Sequence, residues 1–388
     1  MTGDRRRVVV LQQEQFIEVN LDRVFPPGEF EIVVFAIGRR EKIWRDGVPH
    51  GSADLVRTTA AELRRAMGER GFEVAEVVTN DEMCVELVAQ LREERGQLRR
   101  HPASLSLYRD KPLMKECLLR AGVSTPMYVA VIRGQEALAP RIELPVVVKP
   151  ADGVNSRGVQ VIRTETAFTE WLATGEGEWL VEKYIDGEHF HVNAIVRDGI
   201  IEHVTVGRYL SSLLDLKGAR ATGSISIPDS EPVAQDARSA AEAGLRALGI
   251  DGQFISHAEL IRDSNGQMWM IEIAARAPGA LVSEVAELAA GVHLVEASYR
   301  LQAGLPVPRP RRGATDAAWI WFPLADLSGD QIQRPAIASP YRLAVGAVPA
   351  PTKRIGLTVG AQALVWSDDH TQLEADVKHL ADGHVFVA

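Results

Sequence analysis

Cysteine occurs only twice in 388 residues, at Cys84 and Cys117. Both fall in stretches with helical periodicity, so neither a disulfide framework nor a cysteine-based zinc site organises this chain, and a reducing cytoplasm is its expected setting. Long apolar runs are also lacking. None approaches the roughly 20 residues needed to span a bilayer, and the chain passes from Arg5-Arg6-Arg7 straight into RVVVLQ without the apolar core of a signal peptide. No membrane partner is expected. Positive charge is in deficit as well: 43 Lys and Arg stand against 52 Asp and Glu, a formal net charge of −9. That balance repels an extended polyphosphate backbone, so no nucleic-acid partner is expected, although a basic cleft for one small anion remains compatible. Finally, no G-x-G-x-x-G follows a strand and no G-x-x-x-x-G-K-[ST] occurs, so the chain has neither a dinucleotide fingerprint nor a P-loop.

What is present reads as a multi-lobed globular α/β protein. The length implies two or three units, and 46% hydrophobic with 24% charged residues is an ordinary globular balance. Residues 1–105 alternate short apolar runs (RVVVLQ, EIVVFAI, EVAEVV) with helix-like stretches, the pattern of an α/β lobe around a mostly parallel sheet. Residues 106–308 form a second unit, opening with a helix around LMKECLLRAG that stops at Gly122. The strands LPVVVKP and GVQVIR of this unit flank the polar loop ADGVNSR. The Pro/Arg-rich LPVPRPRRG is a linker, and residues 309–388 form a small C-terminal lobe.

The sharpest local feature is FISHAELIRDSNGQMWMIEIA. Its strong turn signal, Asn265-Gly266, predicts a two-residue hairpin loop, and a constant index sum then places Glu259 opposite Glu272, with His257, Ile261, Met270 and Ala274 on their face. Like charges about 5 Å apart destabilise a sheet, so this register calls for a cation between the carboxylates. Magnesium, which takes one or two carboxylates and completes its shell with phosphate oxygens and water, suits that pair; manganese is the alternative. Lys149 ends a buried strand, where an ammonium is costly unless an anion meets it. The loop after it supplies Gly153, Asn155, Ser156 and Gly158, which can curl backbone N–H groups over phosphate oxygens. Arg276 continues the face of Glu272 and can clamp a phosphoryl or carboxylate oxygen.

Four segments in this order, RDKPLMKECLLRAGVSTP, VVVKPADGVNSRGVQVI, WLVEKYIDGEHFHV and the glutamate hairpin ending EIAARAPGA, resemble the ATP-grasp superfamily over roughly residues 108–300. The resemblance implies an α+β, two-lobed nucleotide-binding region that takes ATP. It gives Lys111 and Lys149 to the phosphates, with Ser156 and Gly158 in a glycine-rich flap. Glu182, Lys183 and Ile185 become the hinge at the adenine, and Glu188 or His189 the ribose contact. Glu259 and Glu272 become the metal ligands, and Arg276 with Lys149 the catalytic residues. Two departures stand out: His189 occupies a place where many members have glutamate, and Ala274 one where many have asparagine. The HAE before the turn and EIAAR after it are similar to the carboxylate–amine ligase branch, including L-amino-acid ligases. The activity implied is amide formation through an acyl phosphate, with a small carboxylic acid and an amine, amino-acid-like, as substrates. Alternatives are a carboxyphosphate-forming enzyme, a kinase acting on a small acid, and a non-catalytic ATP-binding module. A homodimer is the default oligomer. Trp319, Trp321 and Phe322 read as core.

Overall fold

The computed structural model describes residues 5–38, 43–45, 48–69, 73–132, 142–151, 153, 158–174, 176–212, 221–311, 315–323, 336–345 and 359–382. Ser156 and Asn155 of the glycine-rich loop lie outside these residues.

The N-terminal sheet is wholly parallel, with β1 (Arg6–Gln12), β2 (Phe30–Ile37), β3 (Asp54–Thr58) and β4 (Glu76–Val78) in the order β3-β2-β1-β4. The continuous apolar run of β1 is what a strand covered on both faces requires. Val9 and Leu11 pack with Leu63 of α1 (Ala60–Gly68) and with Val88 and Leu91 of α2 (Val85–Glu94). Val8 and Val10 instead enter a core shared with Leu294, Tyr299 and Leu301. One face of this lobe is therefore closed by a helix nearly 300 positions downstream. Helix α1 starts on a reciprocal cap, Thr59 accepting from Glu62 N while the Glu62 carboxylate accepts from Thr59 N.

Next come α3 (Lys111–Arg120), β5 (Tyr128–Ile132), β6 (Val146–Pro150), β7 (Gln160–Ile162), α4 (Glu165–Ala173) and β8 (Glu178–Lys183), whose four strands form an antiparallel sheet in the order β5-β8-β6-β7. The third sheet has eight strands, β9 (Gly187–Arg197), β10 (Ile200–Tyr209), β11 (Thr222–Ser226), β12 (Gln253–Asp263), β13 (Met268–Ala274), β14 (Asp316–Pro323), β15 (Tyr341–Val345) and β16 (Val359–Ser367). Their order is β13-β12-β9-β10-β11-β14-β16-β15. The strands after the Pro/Arg-rich linker thus extend the central sheet rather than building one of their own. Helices α5 (Pro232–Leu248), α6 (Val282–Ala290), α7 (Leu294–Gln302) and α8 (His370–Ala381) complete the fold. α5 buries a small-residue stripe, Ala234, Ala237, Ala241 and Gly244, against the sheet. A Cβ at Gly244 would lie 2.7 Å from Ile273 Cδ1, so this glycine sets how closely α5 approaches β13.

The glutamate hairpin forms, but its turn is not the two-residue loop expected from Asn265-Gly266. Asp263 N donates to Gln267 O (3.0 Å) and Gly266 N to Asp263 O (2.9 Å), leaving three loop residues, with Gly266 at φ +83°. The Asp263 carboxylate holds this turn by accepting from Asn265 N, Gln267 N and Trp269 Nε1. Pairing beside the turn is consequently shifted by one, Leu260 facing Met270. An extra residue at Ile271 then restores the expected register, so that Glu259 faces Glu272 and His257 faces Ala274. Met270 does not share the glutamates' face. The bulge turns it into the core beneath α5, with Leu260.

Asp81 anchors the N-terminal lobe's loop after β1. One carboxylate oxygen accepts from Gln13 N, Glu14 N and Gln15 N at 2.6–2.7 Å, and the other from Met83 N at 2.9 Å. Removing it leaves several inward-facing amides without acceptors. Asp81→Ala should lower the unfolding free energy by about 3 kcal/mol or more in urea titrations followed by circular dichroism, with Asp81→Asn losing roughly half as much.

Candidate active site

The three sheets meet around a cavity of about 300 Å³. Alternation along each strand decides what enters it. In β6, Val146 and Val148 pack under α4, and Val147 and Lys149 face the cavity. From β12 and β13 come His257, Glu259, Ile261, Glu272 and Ala274, joined by Ile271 at the bulge. β9 runs on the other side of β12, with His191 opposite Glu259 and His189 opposite Ile261.

The charges in this cavity are paired across elements. Lys111, at the start of α3 beside its Asp110 cap, donates to Gly153 O (2.7 Å) and lies 3.2 Å from Glu272 Oε1. Burial raises the Glu272 pKa, but the ammonium groups of Lys111 and Lys149 outweigh it and bring the group down to about 2. The cation demanded by the facing glutamates is thus partly provided by the protein as Lys111 at Glu272, while His257 Nε2 lies 3.6 Å from Glu259 Oε1. Lys149 and Lys115 both close on Glu182 Oε1, at 2.9 and 3.1 Å. All three are nearly solvent-free. Burial, reinforced by Lys149, lowers the Lys115 pKa to about 8 against the pull of Glu182. For Lys149 burial also acts downward, but Glu182 and Glu272 prevail and its pKa is raised.

Among the expected hinge residues, Glu182 and Ile185 are buried and line the cavity, as does the more exposed Lys183. The Glu182 carboxylate is occupied by the two lysines. Glu188 and His189 separate cleanly. His189 is in the cavity wall, its Nε2 3.3 Å from Ser212 Oγ, whereas Glu188 is outside the lining and sits 3.6 Å from Arg208 and 3.9 Å from Arg262. Gly158 is exposed at φ +75° and is not part of the lining; Gly153, tied to Lys111, is. His191 is a satisfied core histidine. Its Nε2 meets Ser224 Oγ (2.9 Å), its Nδ1 meets Asn193 Nδ2 (3.1 Å), and burial pushes its pKa down to about 3. Asn193 Oδ1 in turn accepts from His257 Nδ1 (2.8 Å), which fixes the ring beside Glu259. Gly207 makes room for this arrangement, since a Cβ there would lie 2.3 Å from His191 Nε2.

The sequence reading missed Lys115, which pairs with Glu182 behind the lining, and several residues of the lining itself. Lys115 lies one helical turn after Lys111, a spacing that could have revealed it. The N-terminal lobe contributes Gln15, Phe16, Glu18, Asn80 and Glu82. Asn80 Oδ1 accepts from Ala277 N (3.1 Å). Glu82 Oε2 accepts from Arg276 Nε (2.8 Å) and pairs with its Nη2 (2.7 Å), and its Oε1 accepts from Arg109 Nη1 (2.9 Å). With Arg276 Nη1 on Ala277 O, three of the five guanidinium N–H bonds are engaged and two remain for a ligand. Trp319 and Trp321 are buried core residues that also line the cavity, and Phe322 faces the other core.

The glutamate pair offers only oxygen donors, and among the described residues no group of three or more His, Cys, Asp or Glu is disposed to hold a metal. Two carboxylates fit a hard divalent ion such as magnesium that takes its remaining ligands from phosphate oxygens and water. No described helix is long and apolar enough to cross a membrane. Cys84 and Cys117 are free thiols.

Residues 142–284 match the family model of the ATP-grasp domain. The chain therefore carries an ATP-grasp domain, in the mixed α/β fold of ATP-grasp enzymes. Its homologues include L-amino acid ligases. It is 27% identical over 205 residues to the L-arginine-specific L-amino acid ligase of Bacillus subtilis, an alignment covering 50% of this chain and 49% of that protein. The chain thus matches about half the length of that curated relative. An L-amino acid ligase from Bacillus licheniformis superimposes with a TM-score of 0.72 at 18% identity, covering 98% of both chains. The biotin carboxylase domain of the Hydrogenobacter thermophilus 2-oxoglutarate carboxylase, solved with MgADP, ADP and bicarbonate, does so with a TM-score of 0.67 at 18% identity, covering 97% of this chain and 88% of that one. At these identities the structural likenesses show the fold.

A pH dependence follows from Glu272. Its folded pKa of about 2 lies below the ordinary 4.5, so between these values the unfolded chain binds more protons. The stability it contributes is complete above pH 4.5 and is lost as pH falls toward 2. In metal-free buffer, Glu272→Gln should flatten the dependence of unfolding free energy on pH in that window. An unchanged slope would show that Glu272 carries no such proton linkage.

Proposed function

We propose that this protein is an ATP-dependent carboxylate–amine ligase that forms an amide bond through an acyl phosphate and releases ADP and phosphate. The observation that carries this reading is the grouping, around one cavity, of the facing pair Glu259 and Glu272 with Lys111, Lys149 and Arg276. In this reading residues 106–308 bind nucleotide and metal, residues 1–105 form the N-terminal lobe and residues 309–388 the C-terminal lobe.

A carboxylate is a poor electrophile because its charge is delocalised. Phosphorylation converts one oxygen into a leaving group, and that transfer needs positioning and charge neutralisation more than a protein nucleophile. Lys111 and Lys149 hold phosphate oxygens. Glu259 and Glu272 hold magnesium or manganese, which when bound neutralises phosphate charge. Ile185, Lys183 and the Glu182 backbone border the adenine, with His189 favoured over Glu188 at the ribose because only His189 borders the cavity. Arg276, oriented by Glu82, directs its two remaining N–H bonds at the acyl phosphate oxygens and the tetrahedral species formed by the attacking amine. Lys111, bonded to Gly153 O, couples phosphate binding to the start of the glycine-rich loop. The relative named for L-arginine supports an amino acid, or an amino-acid-like acid, as substrate.

In a screen of acid and amine pairs with magnesium and ATP, one acid should stimulate ADP release and yield a hydroxamate when hydroxylamine replaces the amine. Glu272→Gln should lose that turnover by at least about 100-fold while keeping its circular dichroism spectrum. ADP release driven by bicarbonate alone would instead assign a carboxyphosphate-forming enzyme. Nucleotide binding with no turnover across the panel would assign a binding module.

A further inference from the structure

Beyond the nucleotide end, the cavity has a carboxylate that meets no hydrogen-bond donor among the described residues. Glu18 lines it on the loop that Asp81 anchors, with its side chain 12% exposed. Among the described residues the cation paired with it is Arg45 at 3.8 Å, beyond hydrogen-bonding distance. That arginine is already committed, donating to Ala280 O (2.9 Å) and Gln362 Oε1 (3.2 Å) and pairing with Glu284 (3.4 Å). Burial, with Glu284 nearby, raises the Glu18 pKa to about 7 against Arg45 and Arg276, as befits a carboxylate short of a partner.

The same end of the cavity holds a second incomplete set of groups. Gln362, bonded to Arg45, faces Trp321 across the β14–β16 ladder, and Thr222 faces Trp321 from β11. Trp319 and Trp321 are 3% and 6% exposed, both line the cavity, and neither indole N–H has an acceptor among the described residues. Buried N–H groups without partners are uncommon in a finished core and are accounted for where a ligand completes them. Pro278, Ala280 and Val282 add apolar surface beside them.

Resting on the ligase reading above, we infer that the acid that becomes phosphorylated is an α-amino acid with a large apolar side chain. Its free ammonium docks on Glu18 and its side chain packs against Trp319 and Trp321. The geometry suits such a molecule because its ammonium and carboxylate are two bonds apart. Glu18 and Arg276, the residue assigned to the acyl phosphate, line the same cavity, where one small zwitterion can meet both.

The test uses the full chain saturated with magnesium and a non-hydrolysable ATP analogue. Binding of L-phenylalanine, L-arginine and 3-phenylpropionate, the des-amino analogue, is measured by calorimetry. L-Phenylalanine should bind at least about tenfold tighter than 3-phenylpropionate, because only the amino acid fills the charged subsite. In Glu18→Gln that ratio should fall to within about twofold with affinity for the ATP analogue retained. Equal binding of the two acids by the unaltered protein, or a ratio that survives Glu18→Gln, would overturn the ammonium assignment; L-arginine binding as tightly as L-phenylalanine would overturn the apolar one. Hydroxamate formation separates the levels. If 3-phenylpropionate gives hydroxamate as readily as L-phenylalanine, the ligase reading stands and this inference fails. If no acid gives any, the ligase reading itself fails.

Discussion

The mutual repulsion of Glu259 and Glu272 is the constraint on which the rest of this structure depends. Opposed like charges cost on the order of 1 kcal/mol on an open sheet, and more where the dielectric is lowered by burial. The fold meets that cost by bringing Lys111 onto Glu272 from a helix more than a hundred residues earlier, with Lys149 nearby. The lysines have their own demand, since an ammonium withdrawn from water needs anions around it. Glu182 satisfies Lys149 and Lys115 together, so the cavity is neutralised by a connected set of charges from both antiparallel sheets.

The N-terminal lobe takes part in this site through three consecutive residues. Asn80 holds the chain at Ala277, Asp81 fixes the loop carrying Gln15, Phe16 and Glu18, and Glu82 orients Arg276 and Arg109. Each uses a different neighbour, and each neighbour borders the cavity or supports what does. The parallel lobe also shares a core with α7 on one face. Site and lobe are therefore coupled by packing as well as by charge, and a change in β4's following turn is felt at Arg276.

Continuity of the central sheet has a comparable effect at the opposite end. Because β14 pairs with β11, Trp319 and Trp321 are carried to the cavity wall by strands that follow the Pro/Arg-rich linker. An aromatic strand in sequence is rightly read as core, and these residues are core, but the sheet's edge-to-edge extension exposes one side of that core to the cavity.

The sequence by itself determined the local geometry. Two-residue alternation put Lys149 with Val147 on the inner face of its strand, and the capping aspartate started α3 at Lys111. The Asn-Gly signal located the reversal that pairs the two glutamates. Even there a three-residue loop and a bulge at Ile271 each moved the register by one and cancelled, so the pairing was legible although its cause and the face of Met270 were not. Tertiary structure alone decided which charge meets which. Glu82 and Arg276 are 194 residues apart, Glu188 and His189 are adjacent but diverge, and Glu18 gains its place because Asp81 holds the start of its loop and Ile17 bridges to residues 43–45. Backbone periodicity fixes the face a side chain takes, whereas the partner of a buried charge is set by whichever distant elements pack closely enough to exclude water around it.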